Sequence, residues 1–181
     1  MITTKENIIQ YFQKGIKNKD NLKIGVEHEK FIFNKSRKRV DYQTINKIFD
    51  LFKNSDWHPI FEGNNIIALK KNDCQITLEP GNQIELSGAR LNNIHDVCKE
   101  AHDYTFELKQ INSELNLKII SLGFDPISKL KEIPDNPKKR YEIMKNEMPK
   151  KGKLSLDMMY RTCGTQINLD YYSEEDFTKK F

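Results

Sequence analysis

Apolar residues recur along the chain with two periods, and the switches between them mark out its elements. Ile8, Ile9, Phe12 and Ile16 fall at helical spacing behind a Thr3–Glu6 capping-box pattern, so a first helix is expected there. Lys23-Ile-Gly-Val-Glu-His-Glu-Lys-Phe-Ile-Phe33 then alternates, predicting a strand with Ile24, Val26 and Ile32 on one face and Gly25, Glu27 and Glu29 on the other. Asp41 is placed to cap a second helix, whose Ile45, Ile48, Phe49 and Phe52 form one core stripe. After Trp57 the pattern predicts a meander of strands at 57–62, 66–70, 75–79 and 83–87, and strands joined so tightly are antiparallel.

From Leu91 the period returns to that of a helix, with Leu91, Ile94, Cys98, Ala101, Thr105, Leu108, Ile111 and Leu115 as its expected buried stripe. Residues 118–122 read as a short strand. Pro137 is expected at the first position of a helix carrying Tyr141, Met144 and Met148. Residues 156–171 read as one last strand, with Gln166 and Asn168 on its polar parity and Cys163 and Ile167 on its apolar one. Ser173-Glu-Glu-Asp176 signals a helix start, with Phe177 and Phe181 as its first core-facing pair. So short a helix is not stable alone, so residues 1–181 are expected to be the N-terminal portion of a single domain, cut within a helix that starts near 174.

Glu27 and Glu29 share a strand face and lie roughly 6.5–7 Å apart along it. Like charges so placed repel unless a cation or a basic partner sits between them. Glu85, and with it Glu79, repeats the oddity on the meander. A solvated strand face with lysine neighbours is one account; a divalent-metal site is the other, and the repetition favours it. An oxygen-rich set without imidazole or thiolate suits Mg²⁺ or Mn²⁺. His95, Cys98 and His102 share a helix side but fall short of the four ligands of a structural zinc site, and Cys98 reads as a small core residue. Cys163 lacks a neighbouring base and reads as a strand residue.

The 181 residues, 37% of them hydrophobic, suffice for one core. The 30 basic and 26 acidic residues are interspersed and leave a net charge of +4, which does not suggest nucleic acid as a partner. The basic residues around 129–153 read as a solvated run or as an arm closing over a phosphate-bearing ligand. No apolar run approaches the length of a membrane span, and no leader pattern opens the chain. Three cysteines without CxxC spacing fit reduced thiols, so a cytoplasmic protein without a membrane partner is expected. Walker, Rossmann, GxSxG and HExxH patterns are absent from the sequence.

Several blocks stand together in order: Gly25-Val-Glu-His-Glu-Lys-Phe31, Thr77-Leu-Glu-Pro-Gly-Asn-Gln-Ile-Glu-Leu-Ser-Gly-Ala89, Leu122-Gly-Phe-Asp-Pro126, Arg140-Tyr-Glu-Ile-Met144 and Leu156-Asp-Met-Met-Tyr-Arg-Thr-Cys163, then Gln166 and Asn168-Leu-Asp170. In these the chain resembles the plant-type glutamate–cysteine ligases. The resemblance implies an α+β, glutamine-synthetase-like catalytic domain, with an antiparallel sheet lining the active site and helices on its outer side. It implies ATP, L-glutamate and L-cysteine as substrates, Mg²⁺ as cofactor, and γ-glutamylcysteine as product, the first step of glutathione biosynthesis. Glu27, Glu29 and Glu85, with Glu79 added, would be Mg²⁺ ligands; Gln166, Asn168, Arg161 and Thr162 would line the substrate pocket. Lys138, Lys139 and Arg140 would then cover the nucleotide phosphates. A glutamate ligase with another acceptor amine would keep the same acids, and a non-catalytic binding module is the further alternative. Asn82 and Gly164 depart from the family pattern, and both bear on local backbone shape.

Overall fold

The computed structural model describes residues 4–181. Its centre is strand β1 (Ile24–Phe33), long enough to be shared by three partners. Strand β5 (Gln83–Ser87) pairs along one edge, while β7 (Thr165–Leu169) and β6 (Lys118–Ile120) divide the other, against Ile24–His28 and Phe31–Phe33 respectively. Beyond β5 the sheet continues through β4 (Cys74–Glu79), β3 (Asn65–Lys71) and β2 (His58–Glu62), as the turn residues of the meander predict. All these pairings are antiparallel, and with its helices the chain is an α+β fold.

One sheet face is covered by α2 (Tyr42–Lys53) and α3 (Ile94–Leu115). Ile32, Leu69, Ile76, Leu78, Ile84 and Leu86 meet Ile45, Ile48, Phe49 and Phe52 of α2 and Tyr104, Leu108 and Ile111 of α3 in the main core. Asp41 caps α2 by accepting the Thr44 N–H at 2.9 Å, as expected. Asn93 caps α3 by accepting the N–H groups of His95 and Asp96. Beside the sheet, α4 (Lys139–Glu147) and α5 (Ser155–Arg161) pack through Tyr141, Met159, Tyr160 and Ile133. Among the described residues no helix is long and apolar enough to cross a membrane.

The structure corrects several expectations. The buried stripe of α3 is Val97, Tyr104, Leu108 and Ile111, so Ile94, Cys98 and Thr105 face outward and Cys98 is exposed rather than a core residue. The helix carries two overlapping apolar stripes, and contact with Phe52 and the sheet selects the one holding the larger ring, Tyr104. Residues 156–171 are not one strand: the first part is helix α5, stapled by an Asp157–Arg161 pair one turn apart, and the strand begins only at Thr165. Cys163 lies in the intervening link, buried with Phe31 and Phe33. Pro137 precedes α4 rather than opening it, and Met148 falls in the 3₁₀ turn that follows.

At the chain ends, Thr3 lies outside the described residues; Thr4 caps α1 (Lys5–Lys14) by accepting the Asn7 N–H. Helix α1 buries none of its own residues, and its apolar stripe lies beside Tyr171, Glu174 and Phe177. Phe177 of α6 (Glu174–Lys180) packs against Phe12 and Tyr171, whereas Phe181 is 70% exposed and not the core residue expected.

Candidate metal centre

Pairing register gathers the acids on the sheet face turned away from α2 and α3. Glu29 stands directly across from Glu85, and Glu85 directly across from Thr77, so one row crosses β1, β5 and β4. In the next row Gln166 faces Glu27, which faces Ser87. Residues two apart on a strand share a face, so Glu79 joins beside Thr77 and Asn168 beside Gln166. The alternation that sends Ile76, Leu78, Ile84 and Leu86 into the core therefore sends Thr77, Glu79, Glu85 and Ser87 to the opposite side.

Glu29, Glu79 and Glu85 each offer a carboxylate oxygen within 4.8 Å of the other two. Hydrogen bonds hold each one. Glu29 accepts the Gly164 N–H, Glu85 accepts the hydroxyls of Ser87 (2.6 Å) and Thr77 (3.2 Å), and Glu79 accepts Tyr141 Oη–H at 2.5 Å. Burial pushes the Glu29 carboxyl above its ordinary range, the Gly164 bond opposes this, and the charges of Glu85, Glu79 and Glu27 add to the rise. The surroundings of Glu29 therefore disfavour its charged form. The set fits a hard divalent cation in donor type: all three donors are carboxylate oxygens gathered within 4.8 Å of one another. An open cavity of about 440 Å³, lined by Glu27, Glu29, Glu85, Gly164, Thr165, Gln166 and Ile167, adjoins them.

Glu27 is held differently from the other acids. Gln166 Nε2 (3.1 Å) and Asn168 Nδ2 (2.9 Å) both donate to its Oε1, and Gln166 Nε2 also donates to Asn168 Oδ1. It stands at the β7 side of the cavity, outside the three-acid group. Arg161 and Thr162, expected beside Gln166, are spent elsewhere. Arg161 donates to Asp157 and to the Asp125 carbonyl and lies over the Phe124 ring, and Thr162 donates to the Met158 carbonyl. Both sit at the helical end of the segment read as strand, which is why their side chains leave the polar face.

At residues 138–140 the basic segment is tied to the sheet. Lys138 is 9% exposed, donates to the Leu78 carbonyl at 2.8 Å and stands 3.7 Å from Glu79. Burial lowers its pKa, while Glu79 pulls the other way. Arg140 lies over the Tyr141 ring and 3.9 Å from Glu79, with its side chain largely exposed. The Lys139 backbone N–H is anchored on Glu62. Tyr141, Thr77, Ser87 and Gly164 were missed as site residues. Thr77 and Ser87 share strand parity with Glu79 and Glu85, which is a usable signal; Tyr141 reaches Glu79 across 62 positions and leaves none. Asn82 has φ +59°, a left-handed conformation asparagine tolerates, and a Cβ on Gly164 would meet Glu29 at an ordinary 3.6 Å.

The model of glutamate-cysteine ligase family 2 matches residues 23–181, a span that holds Glu27, Glu29, Glu79 and Glu85. The chain belongs to this family. Over 180 residues it is 46% identical to glutamate–cysteine ligase A, chloroplastic, of Oryza sativa subsp. japonica, covering 98% of this chain and 37% of that protein. It is 44% identical to the chloroplastic glutamate–cysteine ligase of Medicago truncatula and 42% identical to that of Arabidopsis thaliana, covering 98% of this chain each time and 35% and 34% of those proteins. This member of the ligase family therefore spans little more than a third of the length of these relatives. Their names overturn the cytoplasmic expectation, since all three are chloroplastic. Unpaired cysteines report a reducing surrounding and not one compartment, so they could not decide the point.

Proposed function

We propose that this chain carries the metal- and glutamate-binding part of an ATP-dependent ligase that joins the γ-carboxylate of L-glutamate to the amine of L-cysteine. The observation that carries the reading is the meeting of Glu29, Glu79 and Glu85 within 4.8 Å on a rigid sheet. In this reading the antiparallel sheet is the floor of the active site and α2 and α3 form its outer side, a glutamine-synthetase-like arrangement.

A free carboxylate does not condense with an amine in water, so the γ-carboxylate is first phosphorylated by ATP. Both reactants are anions, and Mg²⁺ bound by the three acids would draw negative charge off the phosphates so that they can meet in line. Strand register, rather than flexible loops, sets the angles at which Glu29 and Glu85 present their oxygens, which provides the positioning such a transfer requires. Glu27 orients the amides of Gln166 and Asn168. With both Gln166 amide hydrogens committed, that side chain offers an incoming substrate its carbonyl, an acceptor suited to the glutamate ammonium. Lys138 and Arg140 restrain Glu79, and Arg140, exposed at the rim, is placed to meet phosphate oxygens. The cysteine amine would then attack the carbonyl carbon of the γ-glutamyl phosphate, the C–N bond forming as the C–O bond to phosphate breaks, so that inorganic phosphate leaves and the amine gives up one proton to it or to water.

Mg²⁺-dependent binding of ATP or glutamate by the purified protein, followed by phosphate release with cysteine and a panel of other amines, tests the reading. Mg²⁺-dependent binding of ATP or glutamate that Glu85→Ala weakens is expected. Release best stimulated by another amine reassigns the acceptor, and ATP and glutamate binding indifferent to Mg²⁺ overturns the proposal.

A further inference from the structure

Arg39 lies outside the acidic cluster and holds both pieces of backbone that build it. Its side chain is 0% exposed, as is that of its ion-pair partner Asp125. Nη1 donates to Asp125 Oδ2 at 3.2 Å and to the Tyr160 carbonyl at 3.3 Å, and Nη2 donates to the Gly81 carbonyl at 2.6 Å. The guanidinium lies over the Phe31 ring, 4.7 Å from its centroid. Gly81 forms the turn between Glu79 on β4 and Glu85 on β5. Tyr160 lies in the last turn of α5, from which the chain runs to Gly164 and its bond to Glu29. The turn requires glycine and is closely packed: Gly81 has φ +65°, and a Cβ there would come within 2.6 Å of Ile133.

A planar guanidinium can satisfy three acceptors in fixed directions, which neither lysine nor an apolar side chain can do. An apolar residue of similar volume would give packing without the desolvation of two charges, so packing alone does not call for this pair. We propose that Arg39 is a positioning residue that sets the distance between the β4–β5 turn and the α5–β7 link, and through it the spacing at which Glu29, Glu79 and Glu85 receive a divalent cation. This rests on the metal reading above. Arg39 touches no reacting atom; it acts through the Gly81 and Tyr160 carbonyls.

The test is calorimetric titration of the purified protein with MgCl₂ well below its unfolding temperature, for the wild type, Arg39→Lys and Phe49→Leu. Phe49 is fully buried in the core on the opposite sheet face, so its variant loses stability without touching the turn. Arg39→Lys keeps the charge but cannot reach all three acceptors, and Mg²⁺ affinity is expected to fall about tenfold or more, as for other residues that orient metal ligands. Phe49→Leu is expected to bind like the wild type. Equal affinity in Arg39→Lys, or an equal fall in Phe49→Leu, overturns the proposal. Should Arg39→Lys not fold, Asp125→Asn is titrated in its place and read in the same sense. If the wild type shows no Mg²⁺ binding, the metal reading fails by itself. The amide resonance of Gly164 then decides: displacement in the Arg39 or Asp125 variant supports the positioning role, and an unchanged resonance refutes it.

Discussion

Replacing Glu29 by glutamine removes one of three mutually repelling charges while keeping an oxygen that can still accept the Gly164 N–H. Two unit charges 4.8 Å apart, the largest separation within the group, repel by about 3.5 kcal/mol at an effective dielectric of 20 and by about 0.9 kcal/mol at that of water. The group is half-buried, and Lys138 and Arg140 already offset Glu79, so relief from Glu85 and Glu79 together is expected to be on the order of 1–2 kcal/mol. For a domain of this size that raises Tm by roughly 2–8 °C in a metal-free buffer. The sign follows from the raised Glu29 pKa: its contribution is favourable below the ordinary carboxylate range and is lost as pH rises through the raised value. The gain in Glu29→Gln should therefore be present at neutral pH and vanish in acid. Differential scanning fluorimetry with EDTA and with millimolar MgCl₂ reads both effects, since Mg²⁺ should stabilise the wild type and stabilise the variant far less. A Glu29→Gln protein that is less stable than wild type at neutral pH without metal, or one that keeps the full response to Mg²⁺, would refute the argument.

Other expectations are simpler. Asp125→Ala leaves Arg39 buried and unpaired and should cost about 3–5 kcal/mol in urea unfolding. Burial alone would raise the Asp125 carboxyl, but bonds from the Ser128 and Ile127 N–H groups and from Arg39 hold it below its ordinary value. Its contribution is therefore present above the ordinary aspartate range and lost as pH falls through the depressed one, and an acid titration of wild type against Asp125→Asn should show the two curves converging there. Asp41→Ala should cost about 1 kcal/mol through the lost α2 cap, with no change in Mg²⁺ response. Phe52→Ala, beneath Trp57 and Tyr104, should cost about 3–5 kcal/mol by calorimetry.

What the sequence discloses follows the range of each interaction. The stripe Ile45, Ile48, Phe49 and Phe52 and the shared sheet face of Glu27, Glu29, Glu79 and Glu85 are local regularities, and both appear in the structure as the spacing predicts, although Glu27 stands outside the group that the other three acids form. The stripe of α3 is not legible in the sequence because two sets of apolar residues fit a helical period, and only contact with the sheet chooses between them. The segment around Asp157 reads as strand because its apolar residues alternate over a few positions; the Asp157–Arg161 pair is the local sign of a helix. The links from Arg39 to Gly81 and Tyr160, and from Tyr141 to Glu79, join residues far apart in the chain and follow no period.

Because β1 is zipped to a neighbour along each edge, its acids owe their orientation to the pleat and not to side-chain choice. Inserting or deleting a single residue between Gly25 and Glu29 would turn the strand over, driving carboxylates beneath the helices and exposing valine and isoleucine in their stead. Length variation in this family should accordingly be absent from that stretch and concentrated in the hairpin at 63–64, where Gly63 has open space around it and a changed loop disturbs no pairing with β1.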